Sequence, residues 1–249
     1  KTFLLNKYIA YLQEKGLEVG ITASTGIAAT HMNGMTIHSW SGIGIKDRLT
    51  RTEIENMLEK PHLKRRFAHA RVLIIDEISM LHGYRLDLID QICKAFKQNL
   101  MPFGGLQLVM CGDFFQLPPV TRQGGDDRFA YTSRIWQEMD LKICYLDEQY
   151  RQSDKDFLQV LNDIRSSRIT QNTVDILRAR HNADVDDWVV PTKLFTHNRD
   201  VDTINQAMLD EISEQPRTFY MSAEGNDKVV DMSKNGCLAP EELSIKTGA

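Results

Sequence analysis

Val72-Leu73-Ile74-Ile75 is an unbroken apolar run, three of its four residues β-branched, and it ends on Asp76-Glu77. Such a run predicts a strand buried on both faces, as in a parallel sheet. A second apolar run, Leu106 to Cys111, predicts another strand and breaks at Gly112-Asp113, just before Phe114-Phe115-Gln116. Val19, Ile21 and Ala23 alternate and predict a third strand, ending in Ser24-Thr25-Gly26. Between these strands the apolar spacing lengthens to that of helices. Leu5, Tyr8, Ile9 and Leu12 predict a helix over residues 3–15, stopped by Gly16. Residues 27–32 predict a short helix of small residues. Thr52 and Glu55 have capping-box spacing for a helix carrying Ile54, Met57 and Leu58, closed by Pro61. Leu86, Ile89, Ile92, Cys93 and Phe96 form one face of a longer helix.

The second half is less periodic. Ile143 to Leu146 predicts a short strand that begins a new unit near Leu141. Ser153 is expected to cap a helix with Phe157, Leu158, Leu161 and Ile164 turned inward. Lys193 to Thr196 reads as a strand and Arg199 to Leu209 as a helix, and the polar, Gly-rich residues 123–127 read as a loop. Strands alternate with helices throughout, which predicts an α/β fold with a parallel sheet covered on both faces.

A net charge of −4 over 249 residues carries no global basic signature. Nucleic-acid binding would therefore rest on a local patch. Lys60 to Arg71 is a candidate, with Lys60, Lys64, Arg65, Arg66, Arg71 and two histidines, although a solvated helix face reads the same way. Four widely spaced cysteines have no metal-type spacing, and three lie in apolar segments, so buried free thiols in a reducing compartment are expected. No apolar run reaches the roughly 20 residues that span a bilayer, so no membrane partner is expected. The chain opens at Lys1-Thr2 without an initiator methionine, and a portion of a longer protein is expected.

The chemistry concentrates at strand ends. The carboxyl edge of a parallel sheet is where α/β proteins bind ligands. There Asp76 can hold magnesium on a nucleotide and Glu77 can activate water. A surface strand ending in two acids is the bland alternative, weakened by the apolar residues that bury the strand. Lys1-Thr2 matches the last two residues of the phosphate-cradling motif G-x-x-x-x-G-K-[ST], Lys1 reaching the β/γ phosphates and Thr2 ligating magnesium. Gln116, beyond the second buried strand, is placed to sense the γ-phosphate. Arg151, in Glu148-Gln149-Tyr150-Arg151-Gln152, can act as an arginine finger, or else is a surface residue at a helix entry. These parts read as a nucleoside triphosphate hydrolase.

Asp76-Glu-Ile-Ser-Met-Leu, Gly112-Asp-Phe-Phe-Gln-Leu-Pro-Pro-Val and Gln149-Tyr-Arg-Gln, in this order, resemble helicase motifs II, III and IV of the Pif (petite integration frequency) family of superfamily-one DNA helicases. Thr22-Ala-Ser-Thr-Gly-Ile-Ala-Ala resembles motif Ia, and Thr36-Ile-His-Ser-Trp-Ser-Gly-Ile-Gly the segment after it. The helix region Ser79 to Lys97 is similar to the family's signature element, and Leu194 to Asn205 to its later Thr-x-Asn segment. The resemblance implies a P-loop NTPase with a first RecA-like domain over 1–140, carrying a small wedge-like insertion at about 43–70, and a partial second RecA-like domain over 141–249. It implies ATP and magnesium as cofactors and movement 5′ to 3′ on single-stranded DNA. Forked duplexes and G-quadruplexes are implied as further partners, and a monomer as the working state. Roles in DNA repair, recombination and telomere maintenance follow, in the cytoplasm of a prokaryote or in the nucleus or mitochondria of a eukaryote.

By position, Lys1, Thr2, Asp76, Glu77, Gln116 and Arg151 become the ATPase set. Thr25, Thr36, His38 and Asn198 become contacts to DNA. His38 and Trp40 lie beside glycines and are read either as core or as a base-stacking platform. The phosphate-loop glycines and helicase motifs V and VI are not found in this sequence, so the 249 residues alone are not expected to hydrolyse ATP efficiently. Two alternatives stay open: a RecD-like helicase, and a nucleic-acid-binding module without catalysis.

Overall fold

The computed structural model describes residues 1–44, 46–119, 129–183, 192–195, 198–225, 230–231, 234, 237 and 239–249, with the backbone alone for 198–200. Two compact units are present, Lys1–Ile176 and Leu177–Ala249. The expected loop at 123–127 lies outside the described residues.

In the first unit the chain runs α1 (Thr2–Glu14), β1 (Val19–Ala23), α2 (Gly26–Thr30), β2 (Met35–Thr36), α3 (Ile37–Ser41), α4 (Arg51–Leu58) and α5 (Pro61–His69). It continues through β3 (Val72–Asp76), α6 (Gly83–Lys97), β4 (Gln107–Met110), α7 (Arg134–Glu138), α8 (Lys155–Ser166) and α9 (Gln171–Arg180), the last crossing into the second unit. The four strands form one parallel sheet in the order β2-β1-β3-β4. From β1 the chain moves outward to β2, then crosses back to add β3 and β4 on the other side. The direction of growth thus reverses between β1 and β3, and a crevice at that point is where such sheets bind ligands.

β3 is buried along its whole length, as its composition demands. Its pleat sends Leu73 and Ile75 into a cluster with α3, α5 and α6, and Val72 and Ile74 into a second with α1 and α2. Helices therefore cover both faces. Leu86, Ile89, Ile92 and Cys93 of α6 supply the first cluster and Leu5, Ile9 and Leu12 of α1 the second, all as their spacing predicts. The Phe67 ring is fully buried, edge-on to Trp40 at 4.7 Å and stacked on Phe96 at 4.3 Å. Gly20 makes room for that indole, since a Cβ there would lie 2.8 Å from it.

Several local expectations are corrected. The capping box is Thr50 with Glu53, not Thr52 with Glu55: Thr50 Oγ1 accepts from Glu53 N at 3.3 Å, and the Glu53 carboxylate accepts from Thr50 N at 2.7 Å. Asp154, not Ser153, caps α8, because its carboxylate reaches two free amides, those of Asp156 and Phe157. Val160 is the apolar residue that α8 buries, whereas Phe157, Leu161 and Ile164 are exposed. Residues 143–146 form no strand. Among the described residues no ladder partner meets them, and Tyr145 is 81% exposed. Residues 193–195 are also irregular, and Thr196 lies outside the described residues. All four cysteines are free, but only Cys93 is buried, Cys111 being half-buried and Cys144 and Cys237 exposed.

The second unit holds the rest of α9, then α10 (Asn198–Glu211) and an antiparallel pair, β5 (Arg217–Tyr220) with β6 (Glu242–Ile245). No helix of the described residues is long and apolar enough to cross a membrane.

Candidate active site

Asp76 ends β3 with its side chain almost fully buried, and Glu77 turns the chain out of the sheet. Glu77 does so in the left-handed conformation, φ 53° and ψ 45°, which is costly for any residue with a Cβ. Two hydrogen bonds hold it there. Glu77 N donates to Asp76 Oδ1 at 2.8 Å, and Ile78 N donates to the Cys111 carbonyl at 3.0 Å. The end of β3 is thereby tied to the end of β4. Ser24 N, just past β1, donates to the Asp76 carbonyl at 3.0 Å, so three strand ends converge.

Into this corner comes Lys1, the N-cap of α1. Its Nζ lies 2.5 Å from Glu77 Oε1 and 3.4 Å from Asp76 Oδ1. Burial alone would lower the lysine pKa, but the Glu77 hydrogen bond and the charges of Asp76 and Glu77 outweigh it and raise the pKa above its ordinary value. Lys1 is a cation here. No side chain caps α1 and no acid sits in its first turn, so its first amides and its dipole favour an anion. Thr2 is the first residue of this helix.

The donor set suits magnesium. Among the described residues no group of three or more His, Cys, Asp or Glu side chains could form a protein cage for a metal. Magnesium needs none, since it binds through one or two protein oxygens together with phosphates and water. The Asp76 carboxylate and the Thr2 hydroxyl are oxygens of that kind. The nearby Cys111 thiol is pushed up to about 11, by burial first and then by Asp76, and stays protonated.

Gln116 is exposed beyond β4, and its Nε2 donates to Asp113 Oδ2 at 3.2 Å. Arg165 of α8 donates to the same carboxylate from both terminal guanidinium nitrogens, Nη1 to Oδ2 at 2.7 Å and Nη2 to Oδ1 at 2.8 Å. Arg151 is exposed in an irregular segment. Among the described residues no hydrogen bond or ion pair joins Gln116 or Arg151 to Lys1, Asp76 or Glu77. The structure thus brings three of the sequence-predicted residues into contact and leaves these two apart from them.

Thr25 lies two residues past β1 and Thr36 is the last residue of β2, and both cap helices. Thr25 Oγ1 accepts from Ala28 N at 3.3 Å, and Thr36 Oγ1 from Ser39 N at 3.2 Å. His38 Nε2 lies 2.8 Å from Arg85 Nη1. An arginine can only donate, so Nε2 accepts and the ring proton sits on Nδ1. Burial, then the charges of Arg85 and His82, pull the His38 pKa down to about 4. Any DNA contact by His38 is therefore that of a neutral ring, and the local cation is Arg85. Arg85 Nη2 also donates to Asp47 Oδ1 at 2.6 Å, and Tyr84 OH donates to the same oxygen at 3.0 Å. Trp40 is 4% exposed and belongs to the core rather than to a stacking platform. Asn198 opens α10 in the second unit, and its side chain lies outside the described residues.

The basic stretch forms α5, with Leu63 and Phe67 inward. Arg66 Nη1 donates to the carbonyls of Ser39 (3.0 Å) and Trp40 (2.5 Å). His62, Arg65 and His69 line a hollow beside Val19, at the end of the sheet away from Asp76. Arg85 and Arg165 went unnoticed in the sequence, because their partners are 38 to 52 residues away and no local spacing announces them.

A family model described as PIF1-like helicase matches residues 1–175. The ATP-dependent DNA helicase Pif1 of Psychrobacter sp. (strain PRwf-1) is 46% identical over the whole of this chain, which spans 39% of that protein's length. The crystal structure of Pif1 helicase from Candida albicans is similar with a TM-score of 0.83 at 33% identity, over 99% of this chain and 57% of that one. Pif1 helicase from Bacteroides in complex with ADP-AlF3 and ssDNA is similar with a TM-score of 0.67 at 27% identity, over 92% of this chain and 54% of that one.

Proposed function

From the PIF1-like helicase family, to which this chain belongs, we infer an ATP-dependent DNA helicase that couples ATP hydrolysis to 5′–3′ movement on single-stranded DNA. The observation that carries this reading is the contact of Lys1 with Asp76 and Glu77 at the point where the sheet reverses its growth. A phosphate-binding cation, a magnesium-binding acid and a base for water are thereby within a few ångströms of one another.

The paired state is a resting one. Lys1 leaves Glu77 to bind the β/γ phosphates, and its departure frees Glu77 Oε1 to accept a proton from the attacking water. Magnesium, held by Asp76 and the Thr2 hydroxyl, would supply neutralisation of phosphate charge. Gln116 orients water and reports the γ-phosphate, and Arg151 is the finger that stabilises charge in the transition state. The residues 1–140 form the first RecA-like domain, with the insertion at about 43–70, and 141–249 belong to the second. Thr25, Thr36, His38 and Asn198 are the proposed DNA-contacting residues.

The substrate class extends to forked duplexes and G-quadruplexes, and the working state is a monomer. A prokaryotic host would place it in the cytoplasm, a eukaryotic one in the nucleus or mitochondria. The test is strand displacement by the intact protein. A fork with a 5′ tail should be unwound only with ATP and magnesium, and one with a 3′ tail should not. Salt-sensitive DNA binding without ATP turnover would instead identify a binding module.

A further inference from the structure

We propose that Arg165 is the positioning residue for Gln116, setting the sensor glutamine through Asp113. The proposal rests on the reading of Gln116 given above and adds the group that holds it. Arg165 meets the Asp113 carboxylate as a two-point fork, at 2.7 and 2.8 Å, the geometry that fixes orientation as well as distance. Asp113 spends its remaining capacity on its own loop. Its Oδ1 accepts from Phe115 N at 3.1 Å and its Oδ2 from Gln116 Nε2 at 3.2 Å. The guanidinium also lies 5.0 Å from the centre of the Phe115 ring. One arginine thus touches Asp113 and Phe115 directly and Gln116 through Asp113.

The base of the clasp is firm. One turn and less from Arg165, Asp163 is buried and accepts from Thr170 Oγ1 at 2.7 Å and Thr173 Oγ1 at 2.5 Å, which locks the end of α8 to the start of α9. Asp113 is only 15% exposed in its side chain, so its charge is poorly served by water and needs the arginine. With Nε2 committed to Asp113, Gln116 keeps Oε1 as the atom able to accept from a water molecule. Arg165, Asp113 and Gln116 all lie within the first compact unit, so the clasp holds the loop inside one body.

The test is a mutant cycle on the intact protein, reading ATP hydrolysis at saturating single-stranded DNA together with thermal stability. Gln116→Ala alone should lower kcat with little change in the KM for ATP. Arg165→Ala should lower kcat roughly 2- to 30-fold, at a melting temperature close to that of the parent. The double variant should be no slower than Gln116→Ala, because both changes remove one function. Arg165→Lys should recover only part of the rate, since an ammonium cannot form the fork. A wild-type rate for Arg165→Ala beside an impaired Gln116→Ala overturns the positioning role alone. A double variant slowed by the product of the two single losses does the same. A wild-type rate for Gln116→Ala overturns the sensor reading itself, and the positioning role with it. Should Arg165→Ala fail to fold, Asp113→Asn breaks the same clasp from the other side and is read in the same way.

Discussion

Lys1 and Glu77, 76 residues apart in sequence, face each other at 2.5 Å across the carboxyl edge of the sheet. Neither charge is isolated, because Asp76 completes the group at 3.4 Å from the ammonium. In the function proposed above, this contact is the resting pairing of the phosphate-binding cation with the base. Lys1→Met should therefore raise the Kd for ATP by about 10- to 100-fold, the worth of a charge-assisted hydrogen bond. Titration with a fluorescent ATP analogue measures it, and an unchanged Kd would remove Lys1 from the phosphate site.

Arg151 is exposed, and among the described residues no hydrogen bond or ion pair joins it to Asp76 or Glu77; its proposed role is that of a finger on bound nucleotide. Arg151→Ala should cut the hydrolysis rate by about 10³-fold or more while ATP binding changes far less. Rates and equilibrium binding measured side by side decide this. Equal losses in both would make Arg151 a binding residue.

His38 offers a pH signature. Its folded pKa of about 4 lies below the ordinary 6.5, so the unfolded chain takes up the proton first as pH falls. Its contribution to stability is complete above about pH 6.5 and is lost as the pH drops from there towards 4. Arg85→Met removes the neighbouring charge that opposes protonation, although burial and His82 remain. The His38 resonance in an NMR titration should then move its midpoint up towards 6.5, and the stability loss over that pH range should become shallower. A midpoint unaffected by Arg85→Met would show that burial and His82 set the ring without Arg85.

Phe67 tests the packing that supports α5 and α6. The ring is fully buried between Trp40 and Phe96, so Phe67→Ala should cost about 3–5 kcal/mol in unfolding free energy. Denaturant titration of the protein reads this directly. A loss below about 1 kcal/mol would mean that the cluster repacks around the gap.

The elements legible in the sequence were those whose pattern is local. β3 is apolar on both faces because both faces are covered, and α6 repeats its buried residues at helical spacing. The meeting of Lys1 with Asp76 and Glu77 was legible as a candidate site because Asp76-Glu77 ends a buried strand and Lys1-Thr2 matches the end of a phosphate-cradling motif. Boundaries failed where two neighbouring residues could both cap a helix, as with Ser153 and Asp154, and only backbone geometry chose between them. The strand expected at 143–146 failed because a strand needs a partner that the local pattern cannot supply. The state of His38 and the grip of Arg165 depend on contacts 47 and 52 residues away. No spacing rule reaches that far.

Glu77 is proposed to activate water in a site assembled with Lys1 and Asp76. Glu77→Gln keeps the shape of the side chain and removes the base. ATP binding and DNA-stimulated ATP hydrolysis should be measured on the same preparation of the intact protein. ATP binding should stay within about threefold of the parent while the hydrolysis rate falls by about 10²- to 10⁴-fold. Turnover at the parent rate with binding intact would contradict it.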